Sequence, residues 1–141
     1  MKIFLTGGTG FIGKKFINVA IRQGHKIFAV SRTKKKNKKN LVWLKGEINF
    51  YWKELKKSDI LIHLAASGVS NQNLSLKKCL DFNLHRSMQL LINAKNAGCK
   101  RWIIAGSSSE FGDTLKIKKK VGIHCKKRPT SNYAISKYLF Y

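Results

Sequence analysis

The stretch TGGTGFIG, residues 6–13, follows a short β-rich run and precedes a segment of helical periodicity. Gly7, Gly10 and Gly13 are three apart, and Gly8, Gly10 and Gly13 also satisfy G-x-G-x-x-G. Such glycines let the backbone turn sharply, approach a diphosphate and pack the next helix against the strand. The helix start then offers free N–H groups to phosphate oxygens. The stretch predicts a dinucleotide-binding turn; the alternative is a glycine-rich turn with no ligand.

On either side of this turn, apolar runs with strand character alternate with segments of helical periodicity. Strands are expected at residues 2–6, 25–31, 41–46, 59–63 and 101–107. Helices are expected at residues 11–24, 50–57 and 74–97, and again from about residue 131. Most of the strands are continuously apolar, which is typical of strands covered on both faces. The pattern predicts an α/β fold, a Rossmann-like doubly wound parallel sheet, in one domain over residues 1–141.

Two of the expected helices carry apolar stripes that should face this sheet. The first stripe consists of Phe11, Ile12, Phe16, Ile17 and Ala20. The second consists of Leu80, Leu84, Met88, Leu91 and Ile92. We expect both stripes to be buried.

The second expected strand ends in Ser31 and Arg32, and lysines rather than a carboxylate follow. Sites that prefer NAD place an acidic residue at this position, whereas an arginine suits the 2′-phosphate of NADP. The sequence therefore favours NADP over NAD as the cofactor. The alternative is that Arg32 is one more solvated cation.

The chain is strongly basic, with 29 lysines and arginines against 6 acidic residues and a formal net charge of +23. The cations concentrate in loops, at Lys34, Lys35, Lys36, Lys38, Lys39, Lys116, Lys118, Lys119, Lys120, Lys126, Lys127 and Arg128. Such loops attract polyphosphates, including a nucleoside-diphosphate sugar. Nucleic acid is not expected as a partner, because the aromatic residues are not interleaved with the cations. The alternative is that these are simply solvated loops.

The cysteines, histidines and apolar runs place further limits on location and ligands. Cys79, Cys99 and Cys125 form no C-x-x-C pair, which favours a reducing compartment over a disulfide framework. No run reaches the roughly 18 apolar residues of a membrane helix, and the N-terminus lacks signal-peptide character. We therefore expect a cytoplasmic protein without membrane attachment.

His63 should satisfy a backbone group, and His124 beside Cys125 lacks further ligands, so no metal site is expected.

Tyr133 and Lys137 are four residues apart in the last expected helix, which places both side chains on one face. A nearby ammonium stabilises a phenolate. The pair could therefore exchange a proton with a substrate hydroxyl while hydride passes to or from a nicotinamide. Taken alone, the spacing also fits an ordinary helical tyrosine and a solvated lysine.

Several ordered motifs together resemble the extended short-chain dehydrogenase/reductase family of nucleotide-sugar epimerases and dehydratases. They are the glycine turn, Gly46-Glu47-Ile48, His63-Leu64-Ala65-Ala66, Asn83, the segment Gly106-Ser-Ser-Ser-Glu-Phe-Gly112 and Tyr133-x-x-x-Lys137. Glu47 stands where the family usually has aspartate. The resemblance implies that the cofactor is held by Gly7, Gly10, Phe11, Ile12, Gly13, Ser31, Arg32, Glu47, Ile48, Leu64, Ala65, Ala66, Asn83 and Lys137.

The same resemblance implies a catalytic set of Tyr133, Lys137 and Ser107, acting on a nucleotide sugar. Counting back from Gly112 selects Ser107, although the three consecutive serines leave the choice open. Dehydratases of this family tend to carry Asp-Glu directly after that hydroxyl residue. Serines occupy both places here, which favours epimerisation or reduction over dehydration. Glu110, shifted by one place, is expected to face solvent or the substrate rim.

The family's chains are about twice as long as these 141 residues. The resemblance therefore implies the cofactor half of an enzyme without its C-terminal substrate domain, with an open sheet edge. An open edge favours association, as a homodimer or with a missing half. The alternative function is a non-catalytic module that binds a dinucleotide or acts as a basic interaction surface.

Overall fold

The computed structural model describes residues 1–69, 73–117, 120–122 and 124–140. It divides the chain into two compact units. The first comprises Met1–Ala65 and Ser87–Ala105, and the second comprises Ala66–Arg86 and Gly106–Tyr141. The α-helices are, in chain order, α1 (Phe11–Arg22), α2 (Leu76–Leu80), α3 (Ser87–Asn96), α4 (Thr114–Ile117) and α5 (Asn132–Tyr138).

The first unit is built on a parallel sheet of five strands in the order β3-β2-β1-β4-β5. The strands are β1 (Lys2–Thr6), β2 (Lys26–Ser31), β3 (Leu41–Lys45), β4 (Ile60–His63) and β5 (Trp102–Ile104). The chain moves outward from β1 to β3 and then restarts on the other side at β4. This reversal between β1 and β4 is the point at which open α/β sheets bind ligands, at the carboxyl ends of the strands.

Alternate residues of each strand pack on opposite faces of the sheet. On one face Ile3, Leu5 and Ile62 form a buried cluster with Ile17 and Ala20 of α1. Phe4 and Leu61 are fully buried on the other face. His63 shares that face, and its contact with Ser87 at the start of α3 places this helix there. Helices thus cover both faces, and the predicted doubly wound parallel sheet is confirmed.

The prediction for the apolar stripe of α1 was wrong in its first turn. Ile17 and Ala20 are buried, but Phe11 is 95% exposed and Ile12 is 63% exposed. Gly13 is the buried residue of that turn. Because each helical residue turns by about 100°, Phe11 lies about 200° around the helix from Gly13 and points away from the sheet.

The expected single helix over residues 74–97 is α2, a π-helical segment Asp81–Arg86 and α3 in succession. Its predicted buried stripe was also wrong, since Met88 and Ile92 are exposed. The buried residues are Cys79, Asn83, Ser87, Leu90, Asn93 and Ala94. Most of them lie one position before the expected residues, because Asn83 and Ser87 have hydrogen-bond partners inside the protein.

The second unit contains α2, the π-helical segment, a 3-10 segment Ser108–Phe111, α4 and α5. The helix expected near residue 131 begins at Asn132, and the Ser131 side chain caps it by accepting from Ala134 N. Residues 50–57, expected as a helix, form a 3-10 segment at Lys53–Lys57 in the first unit. Within the part of the chain that is described, no helix combines the length and apolar character needed to cross a bilayer.

Candidate functional site

Gly7 directly follows β1 and has a backbone conformation that only glycine adopts easily, with φ at +75°. A β-carbon added there would lie 2.6 Å from Ala65 N and 2.6 Å from the Leu64 carbonyl carbon. The loop after β1 therefore runs directly against the loop after β4. That close approach occurs at the reversal point of the sheet.

Gly13 shows that α1 packs equally closely on this turn. A β-carbon on Gly13 would lie 2.2 Å from the Gly7 carbonyl oxygen and 2.7 Å from Gly8 Cα. Gly10, the N-cap residue, has no side chain to occupy the first N–H groups of α1, and its own N–H donates to the Gly7 carbonyl at 3.0 Å. The glycines let the helix start pack directly on the turn, and the uncapped N–H groups at that helix start fit the diphosphate of a dinucleotide.

The carboxyl ends of β2 and β3 lie at the same edge of the sheet as this turn, because all the strands are parallel. Ser31 is buried, and its hydroxyl accepts from Thr33 N at 3.3 Å. Arg32 is exposed. Beyond β3, Trp52 Nε1 donates to the Glu47 carbonyl at 3.2 Å, and the Ile48 side chain is 5% exposed.

His63 at the end of β4 is buried between two hydroxyl groups. Its Nδ1 lies 2.5 Å from Thr6 Oγ1, and its Nε2 lies 2.9 Å from Ser87 Oγ. Thr6 Oγ1 also accepts from Ala65 N at 3.4 Å. The expectation that His63 satisfies a backbone group was wrong, since side-chain hydroxyls serve both nitrogens. Through these side-chain contacts His63 connects the end of β4 to the end of β1 and to the start of α3.

In the second unit, Asn83 joins two segments through a buried amide. Its Oδ1 accepts from Ser67 N at 2.8 Å, and its Nδ2 donates to the Ser67 carbonyl at 2.8 Å. The same Nδ2 donates to Ser136 Oγ on α5 at 2.9 Å. Ser136 in turn donates to the Tyr133 carbonyl at 2.8 Å. Asn83 therefore fixes the loop at Ser67 relative to the helix that carries Tyr133 and Lys137.

Tyr133 and Lys137 both belong to α5, as the spacing predicted. Tyr133 is partly exposed, whereas the Lys137 side chain is buried at 4% exposure. Burial lowers the pKa of Lys137 from the ordinary lysine value, and the negative charge of Glu110 partly opposes this change. Lys137 Nζ also lies 5.6 Å from the centre of the Phe140 ring.

Ser107 begins the serine turn, residues 107–111. Its Oγ accepts from Ser109 N at 3.2 Å, and its own N–H donates to Glu110 Oε1 at 3.0 Å. This reciprocal arrangement is a capping box. Glu110 is only 4% exposed and pairs with Lys127 Nζ at 2.8 Å. The expectation that Glu110 faces solvent or the substrate rim was therefore wrong, because its side chain is buried and both of its oxygens have partners within the protein.

A cavity of about 580 Å³ opens beside Tyr133 within the second unit. Its lining includes Gly68, Cys79, Ser109 and Asn132. Of the three consecutive serines, Ser109 lines this cavity with Tyr133. Nothing in the motif favoured Ser109, because counting back from Gly112 selects Ser107.

The remaining predicted residues are distributed between the units. Ser107, Asn83, Tyr133 and Lys137 belong to the second unit, as does Ala66, which begins it. The other predicted cofactor residues belong to the first.

In the basic loops, residues 34–39 are exposed and Lys116 pairs with Asp113 at 2.8 Å, while Lys118 and Lys119 lie outside the described residues. No group of three or more metal-ligating side chains occurs among the residues that the structure covers.

Comparison with known protein families shows which family the chain belongs to. Residues 3–141 match the model of the NAD dependent epimerase/dehydratase family. The chain belongs to this family. The match confirms the resemblance seen in the ordered motifs, from the glycine turn to the Tyr133–Lys137 pair.

Individual relatives are similar over most of this chain. An epimerase family protein, YfhF of Bacillus subtilis, is 32% identical over 124 residues, which is 82% of this chain and 41% of that protein. UDP-glucose 4-epimerase of Neisseria meningitidis serogroup C is 27% identical over 82% of this chain and 39% of its own length. The crystal structure of the Bordetella bronchiseptica enzyme WbmG with NAD has a TM-score of 0.80 at 22% identity, covering 98% of this chain and 47% of that one. The chain thus spans less than half the length of these proteins.

Proposed function

We propose that this chain binds a nicotinamide dinucleotide and supplies the proton-transfer pair for epimerisation or reduction of a nucleotide sugar. The observation that carries the proposal is the tightly packed turn at Gly7 and Gly13, which is followed by the uncapped start of α1. Both glycines lie where a side chain would collide with backbone atoms, and the uncapped start of α1 follows at Gly10. Glycines at these positions hold the uncapped helix start tightly against the turn, where its N–H groups would bind a diphosphate.

In this proposal the diphosphate lies on the N–H groups at the start of α1, contributed by Phe11, Ile12 and Gly13. Ser31 and Arg32 bind the adenosine ribose, and Glu47 and Ile48 contact the adenine. Leu64, Ala65 and Ala66 line the cofactor, and Asn83 organises that segment. When bound, the dinucleotide supplies the acceptor and donor of hydride.

The exposed Arg32 at the end of β2 supports NADP as the preferred form, while the family's description supports NAD. Arg32→Glu separates the two. If the guanidinium binds a 2′-phosphate, the substitution should weaken NADPH binding about tenfold or more, as expected for loss of a charged hydrogen bond. NADH binding should change much less. Lys39→Glu, an equal charge change in the same exposed loop, serves as the control.

The proton-transfer part rests on α5. Tyr133 borders the cavity, so its phenol can exchange a proton with a substrate hydroxyl. Lys137, one turn away, stabilises the phenolate through its ammonium and holds the nicotinamide ribose. A hydroxyl of the serine turn, from Ser107 in the family pattern or Ser109 in the cavity, orients the same substrate oxygen.

Similarity to a UDP-glucose 4-epimerase supports a nucleotide sugar as the substrate. The exposed cations of residues 34–39 would attract its phosphates.

The free cysteines, Cys79, Cys99 and Cys125, support a reducing compartment such as the cytoplasm. The described sheet ends at β5, where Trp102 and Ile103 are 39% and 54% exposed, which supports association with a second polypeptide or a second copy.

The first experiment measures fluorescence titration of NADH and NADPH into the native chain, Gly7→Ala and Gly122→Ala. A β-carbon on Gly122 meets no atom within 4 Å, so this variant should bind normally. Gly7→Ala should lose binding, because its β-carbon collides with the backbone of Leu64 and Ala65. Failure of the native chain to bind either dinucleotide at millimolar concentration would overturn the cofactor assignment.

The second experiment measures turnover of UDP-sugars by the native chain, Tyr133→Phe and Tyr138→Phe. Loss of a general acid–base group should lower the rate by about 10²–10⁴-fold in Tyr133→Phe. Tyr138, exposed on the same helix, provides a matched control. Cofactor binding with no turnover in any variant would favour the alternative, a dinucleotide-binding module.

A further inference from the structure

His63 is a buried imidazole to which the proposed chemistry gives no role. It is only 2% exposed and pairs in register with Thr6 at the carboxyl ends of β4 and β1. Its Nδ1 lies 2.5 Å from Thr6 Oγ1, and its Nε2 lies 2.9 Å from Ser87 Oγ. A buried polar ring is costly unless its nitrogens are hydrogen-bonded. Hydroxyl groups meet both nitrogens here, so the ring is held from two sides.

The Thr6 hydroxyl determines the direction of these hydrogen bonds. Thr6 is fully buried, and its Oγ1 is in contact with Ala65 N at 3.4 Å as well as with His63 Nδ1. Because Ala65 N is a donor, Oγ1 accepts there, and the hydroxyl proton is directed to Nδ1. Nδ1 is then the unprotonated nitrogen, so Nε2 carries the ring proton and donates to Ser87 Oγ.

Ala65, the first donor in this row, lies at the closest approach of the loops that follow β1 and β4. A β-carbon on Gly7 would lie 2.6 Å from the same Ala65 nitrogen that donates to Thr6 Oγ1. Leu64 N donates to the Thr6 carbonyl at 3.2 Å. Two hydrogen bonds and a close backbone contact thus fix residues 64–65 against the start of the glycine turn.

We propose that Thr6 and His63 are positioning residues for the dinucleotide and act through Ala65. The imidazole accepts the Thr6 proton and keeps Oγ1 available to Ala65 N, while Ser87 holds the other side of the ring. This inference rests on the proposed function for its purpose, because Leu64 and Ala65 line the cofactor in that proposal. Its physical content, the direction of the hydrogen bonds, does not depend on a bound dinucleotide.

The first test is a ¹⁵N NMR measurement at neutral pH, which distinguishes protonated from unprotonated histidine nitrogens. The chain has four histidines, and the other three are exposed or partly exposed. His25→Gln, His85→Gln and His124→Gln therefore identify the His63 signals by elimination, without altering the buried ring. An unprotonated Nδ1 and a protonated Nε2 are expected. The reverse tautomer or a doubly protonated ring would overturn the proposal.

The second test compares Thr6→Val with Thr6→Ser by fluorescence titration of NADH or NADPH, whichever binds the native chain more tightly. Valine has nearly the shape of threonine but no hydroxyl, so the Ala65 N–H loses its partner. Thr6→Val should weaken binding by about two- to tenfold, the range expected for one hydrogen bond. Thr6→Ser retains the hydroxyl and should restore most of the affinity.

Ser58→Ala separates this role from a general loss of stability. Ser58 is buried, and its Oγ donates to the Glu54 carbonyl at 2.8 Å, before β4 begins and at the opposite edge of the sheet from the glycine turn. Ser58→Ala and Thr6→Val should both lower Tm, but only Thr6→Val should weaken binding. Native affinity in Thr6→Val would overturn the positioning role. If the native chain binds neither dinucleotide, the proposed function fails, and the tautomer measurement still decides the direction of the hydrogen bonds.

Discussion

Gly13 lies so close to Gly7 that a β-carbon at position 13 would come within 2.2 Å of the Gly7 carbonyl oxygen. Backbone atoms lie on both sides of the gap, so no side-chain rotation can relieve the contact. The start of α1 is therefore fixed against the loop that leaves β1. This rigidity keeps the first N–H groups of the helix directed at one position, which is what a bound diphosphate requires.

Gly13→Ala should destabilise the chain, although alanine normally stabilises a helix relative to glycine by about 1 kcal/mol. The collision with the Gly7 carbonyl outweighs that gain, and a net loss of about 2 kcal/mol is expected, as for overpacked interiors. Urea unfolding followed by circular dichroism measures the difference. Gly122→Ala, in open space, should stay within about 0.5 kcal/mol of the native chain. A Gly13→Ala variant that is more stable than the native chain would contradict the close packing.

Asn83→Ala should cost about 2–4 kcal/mol, because it removes a buried amide that makes hydrogen bonds to three groups. These groups are the N–H and carbonyl of Ser67 and the Ser136 hydroxyl. Asn96→Ala, on the exposed side of α3, is the matched control and should be near neutral. Equal free energies of unfolding for the two variants would mean that the Asn83 amide does not join the Ser67 loop to α5.

The strands and the family motifs could be predicted from the sequence because each depends on local information. A continuous apolar run identifies a covered strand, and glycine spacing identifies a turn. The order of the strands follows from their alternation with helices in a parallel sheet.

The buried face of the helical stretch from α2 through the π-helical segment to α3 could not be predicted in the same way. Apolar periodicity selected Leu84 and Met88, whereas the protein buries their neighbours Asn83 and Ser87. Those polar residues are stable inside only because Ser67, Ser136 and His63 provide partners, and partners distant in sequence leave no periodic signal. Glu110 was misplaced for the same reason, since its partner Lys127 lies in a separate loop.

The cysteines should differ in reactivity although none is bonded. Cys79 and Cys99 are buried, and burial raises the pKa of both thiols, which reduces the reactive thiolate at a given pH. Cys125 is only partly buried. Brief treatment with iodoacetamide at pH 8, followed by peptide mass spectrometry, should modify Cys125 first, and the others only after unfolding. Rapid modification of Cys79 in the folded chain would show that the cavity it lines opens to reagents.

Lys137→Met should separate the stability of α5 from its proposed chemistry. Burial lowers the folded-state pKa of Lys137, so between that value and the ordinary value of 10.5 the unfolded chain binds more protons than the folded one. The penalty for burying the ammonium is therefore fully present below the folded-state pKa and is relieved as pH rises from that pKa toward 10.5. Methionine has similar length and no charge, so the variant should be at least as stable as the native chain at pH 7.

That advantage should shrink as pH rises toward 10.5, which urea unfolding at several pH values measures. Lys126→Met, which removes an exposed charge, should show no comparable pH dependence. If the variant is less stable at pH 7 by an amount that does not change with pH, the packing of the lysine side chain outweighs the cost of burying its charge. If instead stability is gained and turnover of a nucleotide sugar is lost, the chain retains a destabilising ammonium because its proposed reaction requires it.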